Sequence, residues 1–306
     1  MMEGAIKLDF LVVGAQKAGT TALHEMLGAH PDIALPKIKE THFFSHAERA
    51  TLGRDWYLSQ FNRSAATRLV GEIDPEYMYW PEAAIAIRAG SSVRKFVFIL
   101  RHPVERAYSH FLMSQRRGYE TSDFHTALSN EAGRLAGSDA LFAHDNWSYA
   151  SRSLYHPQIQ RFRDAFPDGD FLFLRSDTLS SSGYDRICSF IGTNPHRTAG
   201  QASLRANIAS APRSKVLRDI LYAPGGKSAL RKAVMRLVPT RVKWWVFKKI
   251  DRLNERSIEG QPDARAATIP VSVLRAMADD LTLVQESTGL DLADWLADLR
   301  GRISAA

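Results

Sequence analysis

Lys17 stands in the middle of the octapeptide GAQKAGTT, Gly14 to Thr21, directly after the apolar run Leu8 to Val13. Gly14 and Gly19 have the separation of the two glycines in the nucleoside-triphosphate loop G-x-x-x-x-G-K-[ST]. In that loop the lysine follows the second glycine and reaches the β/γ-phosphates; here Thr20 holds that position and the lysine lies three residues upstream. The glycines let the backbone approach an anion, and the helix that follows adds N–H groups and a positive dipole end. Gln16, Lys17, Ala18, Gly19, Thr20 and Thr21 are therefore the candidate phosphate-binding residues, with hydroxyl donors on the two threonines and a full charge on Lys17. A lone glycine-rich strand-to-helix turn can also be purely structural.

Two further segments carry residues suited to chemistry. In FVFILRHPVERAYSHF, residues 96–111, Arg101 leaves the end of an apolar run and Ser109 lies two turns into the next helix, with Pro103 at its start. The planar fork of arginine matches a phosphate, so Arg101 and Ser109 form a second anion-binding candidate; the plainer reading gives Arg101 a carboxylate partner. In LPKIKETHFFS, residues 35–45, Glu40 is a candidate general base with His42 beside it. The plainer reading pairs Glu40 with Lys39 in solvent and leaves His42 as an ordinary satisfied side chain.

These residues need elements to hold them. Leu8–Val13, Leu69–Ile73, Lys95–Leu100 and Phe171–Leu174 read as buried strands, with a short apolar piece at Ile33–Leu35. Helices are predicted over Thr20–Ala29, from Pro103, over Ser148–Phe166 with Pro157 as a kink or early break, and near Tyr184–Ile191. Apolar strands alternating with helices predict an α/β fold: a P-loop-type parallel sheet with helices on both faces, whose ligands sit at the carboxyl ends of the strands. Residues 270–299 have helical spacing and are predicted to cover the core as one C-terminal helix. The chain is read as one domain, with a core at about 7–195 and a basic segment at about 213–256.

Together these residues resemble the sulfotransferase family that uses 3′-phosphoadenosine 5′-phosphosulfate (PAPS). The resemblance implies that Gln16–Thr21 holds the 5′-phosphosulfate and that Arg101 and Ser109 hold the 3′-phosphate, with 3′,5′-adenosine bisphosphate as product. PAPS has no γ-phosphate, so a lysine at the end of the loop has nothing to reach. A lysine in mid-loop can stabilise the phosphate oxygen left behind. Lys39-Glu40-x-His42-Phe43-Phe44 looks like an element of the branch that sulfates heparan-type glycans and of its bacterial relatives. That likeness implies Glu40 as the catalytic base with His42 beside it; Lys17, by its place beside the departing oxygen, is the third candidate catalytic residue. The chain departs from the branch at Ser45, which stands where an acidic residue is usual. It departs again in Gly71-Glu72-Ile73-Asp74-Pro75-Glu76-Tyr77, where Ile73 replaces a lysine and Asp74 a hydroxyl residue. Those departures count against a heparan-like acidic acceptor and leave Glu72 and Asp74 as alternative polar contacts, while Asp74-Pro75 also reads as a plain turn. The aromatics of Tyr155–Phe166 read as core. Arg197, Arg205 and Arg213 remain alternatives for completing the 3′-phosphate site.

Composition bounds the rest. The chain has 306 residues and a net charge of +7. Residues 213–256 hold 13 Lys/Arg against Asp219, Asp251 and Glu255, a net of +10 that leaves −3 for the remainder. Trp244, Trp245 and Phe247 lie among those bases. The segment reads as a cover helix with solvated lysines, as a groove for an anionic acceptor, or, over about 227–252, as an interfacial helix on acidic lipid; no nucleic-acid-binding module is recognisable. Cys188 is the single cysteine, so no intrachain disulfide forms, and it reads as a buried, inert thiol. With no signal-peptide pattern and no apolar span of about 18 residues, the expected location is the cytoplasm. The expected partner is a hydroxyl-bearing small molecule or glycan, and no metal is expected. The rival classes are a P-loop kinase or NTPase, against which Thr20 argues, and a non-catalytic anion- or membrane-binding module.

Overall fold

The computed structural model describes residues 5–137, 139–196, 210–212, 255–257 and 264–306. Arg197, Arg205, Arg213 and nearly all of the basic segment 213–256 lie outside the described residues. Contacts divide the chain into two compact units. The first comprises residues 1–102, 154–206 and 275–306, the second residues 103–153 and 207–274.

The first unit is built on five strands, β1 (Phe10–Gly14), β2 (Ile33–Ala34), β3 (Leu69–Ile73), β4 (Lys95–Leu100) and β5 (Asp170–Arg175), in the order β2-β3-β1-β4-β5. Every pairing is parallel. All five residues of β1 are buried. Successive side chains of a strand point to opposite faces, so both faces of the sheet are covered at its centre. From β1 the chain passes to the edge strand β2, returns to β3 beside β1, and then crosses to β4 and β5 on the other side. The carboxyl end of β1 is thus the switch point where α/β sheets bind ligands.

Helices α1 (Thr20–Gly28), α2 (Ala47–Ala50), α3 (Gly53–Ser59), α4 (Glu76–Tyr79) and α5 (Ala83–Gly90) lie between the first four strands. The second unit contains α6 (Pro103–Arg117), α7 (Phe124–Leu135), α8 (Ala140–Trp147) and an antiparallel pair, β6 (Ser210–Pro212) with β7 (Glu255–Ser257). The first unit resumes with α9 (His156–Ala165), α10 (Tyr184–Ile191) after β5, and two C-terminal helices, α11 (Val271–Thr288), whose first turn falls in the second unit, and α12 (Ala293–Ser304). The expected α/β class is met: a parallel sheet flanked by helices. Phe162 of α9 and Phe166, the residue that follows this helix, are buried against Phe96, and Phe162 also meets Phe98 edge-on. Cys188 is buried on α10.

Two predicted helices need correction. No α-helix spans 148–166; a single 3₁₀ turn covers Ser151–Ser153 and α9 begins at His156, with Pro157 in its first turn. Glu131 accepts the N–H groups of Ala150 and Ser151 at 2.7 and 2.8 Å, which draws those amides away from any helical ladder. Downstream, the carboxylate of Asp280 accepts the N–H groups of Tyr155 and His156 at 2.6 and 3.0 Å and caps α9 from α11. The C-terminal piece is likewise two helices, because Gly289 takes φ 69° and ends α11.

Close approach in the sheet centre makes a sharp stability prediction. Gly71 on β3 pairs with Phe10 on β1, and a Cβ at Gly71 would lie 2.5 Å from the Phe10 ring, which has no exposed surface. Gly71→Ala therefore forces the core to shift and is expected to cost roughly 1–3 kcal/mol, read as a lower urea midpoint at unchanged slope.

Candidate active site

The loop after β1 is shaped by its neighbours. Ala15 donates its N–H to the Ile99 carbonyl at 2.7 Å, and Ala18 donates back to Ala15 at 3.2 Å. Lys17 then takes φ 72° and Gly19 φ 93°, so the chain turns through two left-handed residues before α1 starts at Thr20. Such a turn directs successive N–H groups inward, and the first amides of a helix have no intrahelical acceptor. Arg101, the residue after β4, donates from Nη1 to the Lys17 carbonyl at 3.1 Å. Its own carbonyl accepts the Tyr155 hydroxyl at 2.7 Å. The structure thus brings Arg101 against the loop. Ala18 and Thr20 are buried, whereas Gln16, Lys17, Gly19 and Thr21 are part-exposed. Ser109 lies part-exposed on α6, in the second unit.

The second loop runs from β2 toward α2. Glu40 takes φ 63° and His42 φ 57°. With Lys17, these are the only non-glycine residues at positive φ among the described residues. Each costs roughly 1–2 kcal/mol relative to an ordinary conformation and persists only where its surroundings dictate it. What dictates it here is the carboxyl end of β3. The Thr41 N–H donates to Glu72 Oε1 at 3.0 Å, and the His42 N–H donates to Asp74 Oδ2 at 2.6 Å. Glu72 Oε2 also accepts the hydroxyls of Tyr57 and Tyr77, at 2.7 and 2.9 Å. Glu40 itself is ion-paired with Lys39.

The two loops are joined by a relay of hydrogen bonds. Gln16 donates from Nε2 to Glu76 Oε1 at 2.9 Å, and the Glu76 N–H donates to Asp74 Oδ1 at 3.1 Å. Asp74 in turn holds His42, whose Nδ1 lies 3.1 Å from Oδ2 and 3.2 Å from Oδ1. Trp80 Nε1 donates to the other Glu76 oxygen at 3.1 Å.

Burial sets the charges of this cluster. Glu72 and Asp74 have no exposed surface. Desolvation and the neighbouring Asp74 carboxylate push Glu72 up to about 7, against the hydrogen bonds from Thr41 and Tyr57 that pull it down. Burial and the charge of Glu72 hold both tyrosines well above their usual range, so they remain phenols and donors. For His42 burial acts downward, but the charge of Asp74, its hydrogen bond, and the charges of Glu76 and Glu40 together raise it to about 9. His42 is therefore an imidazolium at neutral pH, a donor and a cation, with no lone pair to take a proton.

Sequence reasoning had singled out Gln16, Lys17, Arg101, Glu40, His42, Glu72 and Asp74, all of which the first unit gathers at the carboxyl ends of β1, β3 and β4 or in the loop braced on them. It missed Thr41, Tyr57, Glu76 and Tyr77. Thr41 and Tyr77 sit inside quoted motifs, but nothing in the sequence marks Tyr57 as a partner of Glu72. A polar cavity of about 360 Å³, lined by Asp32, Arg68, Ser189, Gly192, Thr193 and Asn194, lies elsewhere. Asp32 and Arg68 directly precede β2 and β3, which puts that cavity at the amino edge of the sheet, opposite the loops.

The His42–Asp74 pair has a testable sign. A histidine raised in the folded state adds stability fully below about 6.5, its unfolded value, and loses that stability as pH rises through about 9. Proton NMR should show the His42 ring titrating near 9, and Asp74→Asn should lower it, because burial is then opposed only by the charges of Glu76 and Glu40. The urea stability of the wild type should fall relative to that of Asp74→Asn between pH 6.5 and 9; parallel curves would refute the pairing.

Comparison with known proteins follows the same residues. Residues 9–88 match the model of the sulfotransferase family. Heparan sulfate glucosamine 3-O-sulfotransferase 3A1 of Mus musculus is 30% identical over 196 residues, covering 62% of this chain and 47% of the relative. Heparan sulfate glucosamine 3-O-sulfotransferase 6 of Homo sapiens is 31% identical over 192 residues, covering 60% of this chain and 51% of the relative. The chain spans about half the length of the curated relatives it matches. The solved sulfotransferase of Alicyclobacillus acidocaldarius shares the fold, with a TM-score of 0.63 at 22% identity over 95% of this chain and 99% of that one. The glycine loop with a mid-loop lysine and the parallel sheet that presents it agree with these matches: over residues 9–88 the chain is similar to the sulfotransferase family.

Proposed function

We propose that the protein transfers the sulfuryl group of PAPS to a hydroxyl of a carbohydrate or sugar-like acceptor, with Glu40 as general base. The observation that carries this reading is the hydrogen-bond relay from Gln16 through Glu76 and Asp74 to His42, which ties the glycine loop to the Glu40 loop. A donor-binding loop and a base-bearing loop held in one frame are what in-line transfer between two substrates requires. The heparan sulfate activity named for the mammalian relatives supports a glycan acceptor.

The residues present fit an anionic donor. The left-handed turn at Lys17 and Gly19 leads into the amino end of α1, and Arg101 lies against it. PAPS, when bound, supplies an activated sulfuryl group whose leaving group is a phosphate oxygen. The chain's own residues then divide the work. The backbone of 16–21 and Arg101 would hold phosphate groups. Lys17 would neutralise charge on the departing oxygen. The Glu40 carboxylate would take the acceptor proton as the new O–S bond forms and the old S–O bond breaks. His42, already protonated, is unavailable as a base and would act as a fixed cation and donor beside the acceptor. The Lys39–Glu40 pair has to open for the proton to be taken.

Calorimetric titration tests the donor half. 3′,5′-Adenosine bisphosphate should bind in preference to ADP or Mg-ATP, and Lys17→Ala with Arg101→Ala should abolish that binding. Preference for Mg-ATP would move the protein to the kinase class. For the acceptor half, Glu40→Gln should lower kcat by roughly 10²- to 10⁴-fold with donor binding intact. Full transfer activity in a Glu40→Gln, His42→Asn double variant would remove the assigned base.

A further inference from the structure

Burying a carboxylate is costly unless its oxygens are satisfied and its placement achieves something. Glu72 has no exposed surface and lies on β3. Its Oε1 accepts the Thr41 N–H, which belongs to the peptide bond immediately after Glu40. Fixing that peptide plane fixes ψ of Glu40, a residue already at φ 63°. Asp74 grips the next peptide through the His42 N–H. Two successive peptide planes, one on each side of Thr41, are thus pinned to one strand.

The other Glu72 oxygen is anchored from two helices, by Tyr57 of α3 and Tyr77 of α4. The ring of contacts closes on the same loop. The Tyr77 hydroxyl lies 3.3 Å from Thr41 Oγ1, which accepts the Phe43 N–H at 3.2 Å. Tyr57, Tyr77 and, just past the end of its strand, Asp74 are the titratable groups that act on Glu72. Both phenols can re-aim their hydroxyl hydrogens, so an uncharged group of the same shape could keep the Thr41 bond.

We infer that Glu72 is a positioning residue for the Glu40 base, acting through the Glu40–Thr41 peptide rather than on substrate. The inference rests on the sulfuryl-transfer reading above. It makes three demands. The amide side chain in Glu72→Gln can accept from Thr41 and donate to a tyrosine, so that variant keeps the loop in place. Glu72→Ala releases the loop. And because Glu72 acts through Glu40, its loss matters only while Glu40 is a base.

The experiment combines amide hydrogen exchange with kinetics, using labelled PAPS and an unsulfated glucosamine-containing oligosaccharide as probe acceptor. Glu72→Ala should lose exchange protection at the Thr41 amide. Its kcat should drop roughly ten- to a hundredfold with the donor KM unchanged. Glu72→Gln should retain protection and stay within a few-fold of wild type. In a Glu40→Gln background, adding Glu72→Ala should change the residual rate little. Should Glu72→Ala not fold, Tyr77→Phe removes one anchor of the same carboxylate and should show a smaller loss of both readouts. A protected Thr41 amide in Glu72→Ala, or equal rate losses in both backgrounds, would overturn the inference. A wild type that transfers nothing to the probe would overturn the parent reading and the inference with it, and that outcome is distinct because it appears before any variant is made.

Discussion

The structure depends on holding three residues with side chains where the backbone favours glycine. Lys17, Glu40 and His42 all sit at positive φ, at a combined expense of several kcal/mol by the usual per-residue figure of roughly 1–2 kcal/mol. Each is braced by a side chain from the carboxyl end of a strand. Arg101 after β4 grips the Lys17 carbonyl, and Glu72 and Asp74 at the end of β3 grip the amides of Thr41 and His42. Strand order therefore sets the local geometry. β1 lies between β3 and β4, so its loop has a brace on one side and a relay to the second loop on the other. A sheet that paired differently would leave both loops free to relax.

Rigid elements beneath the braces explain why they can bear the strain. Asp74 follows β3 directly, and its N–H donates to the Val12 carbonyl of β1 at 3.0 Å, which extends the ladder past the end of the strand. Tyr57 and Tyr77 are fully buried beneath Phe43 and Phe44: Phe43 stacks on Tyr57 at 4.6 Å and Phe44 meets Tyr77 edge-on at 5.7 Å. The polar anchors of Glu72 thus stand on aromatic packing that tolerates little displacement. Preorganisation of this kind is what a transfer between two bound substrates needs, since small misplacements at the reacting atoms cost large factors in rate.

Much of this was legible in the sequence. The strands Leu69–Ile73 and Lys95–Leu100 fall where their continuous apolar runs place them, because strands buried on both faces carry no alternation to misread. The glycine loop was legible because its glycines, lysine and threonines are contiguous. The stretch 148–155 was not, because its backbone amides are claimed by Glu131, about 20 residues away, and by Asp280, more than 120 residues away. Gly289 could have announced the break between α11 and α12, since a glycine inside a helical pattern is often a C-cap. Tyr57 could not have been found: its bond to Glu72 exists only once α3 packs over the end of β3, and no local spacing encodes that.

The substitution of Asp74 for a hydroxyl residue decides how the site can divide its chemistry. A hydroxyl beside His42 would remove the largest charge that opposes burial and so shift the imidazole toward the neutral ring. A carboxylate in the same place reverses that preference and keeps the ring charged. For the proposed reaction, two candidate bases thereby become one. With the His42 proton committed to Asp74, the groups left in the loop to accept a proton from a hydroxyl are carboxylates. Glu72 is enclosed by two phenols and a backbone amide. In the proposed transfer Glu40, one-fifth exposed and ion-paired with the neighbouring Lys39, is the carboxylate that an acceptor would approach. On the proposed reaction, the acidic cluster behind the loop thus assigns the base by elimination, and it does so through charge rather than through contact with either substrate.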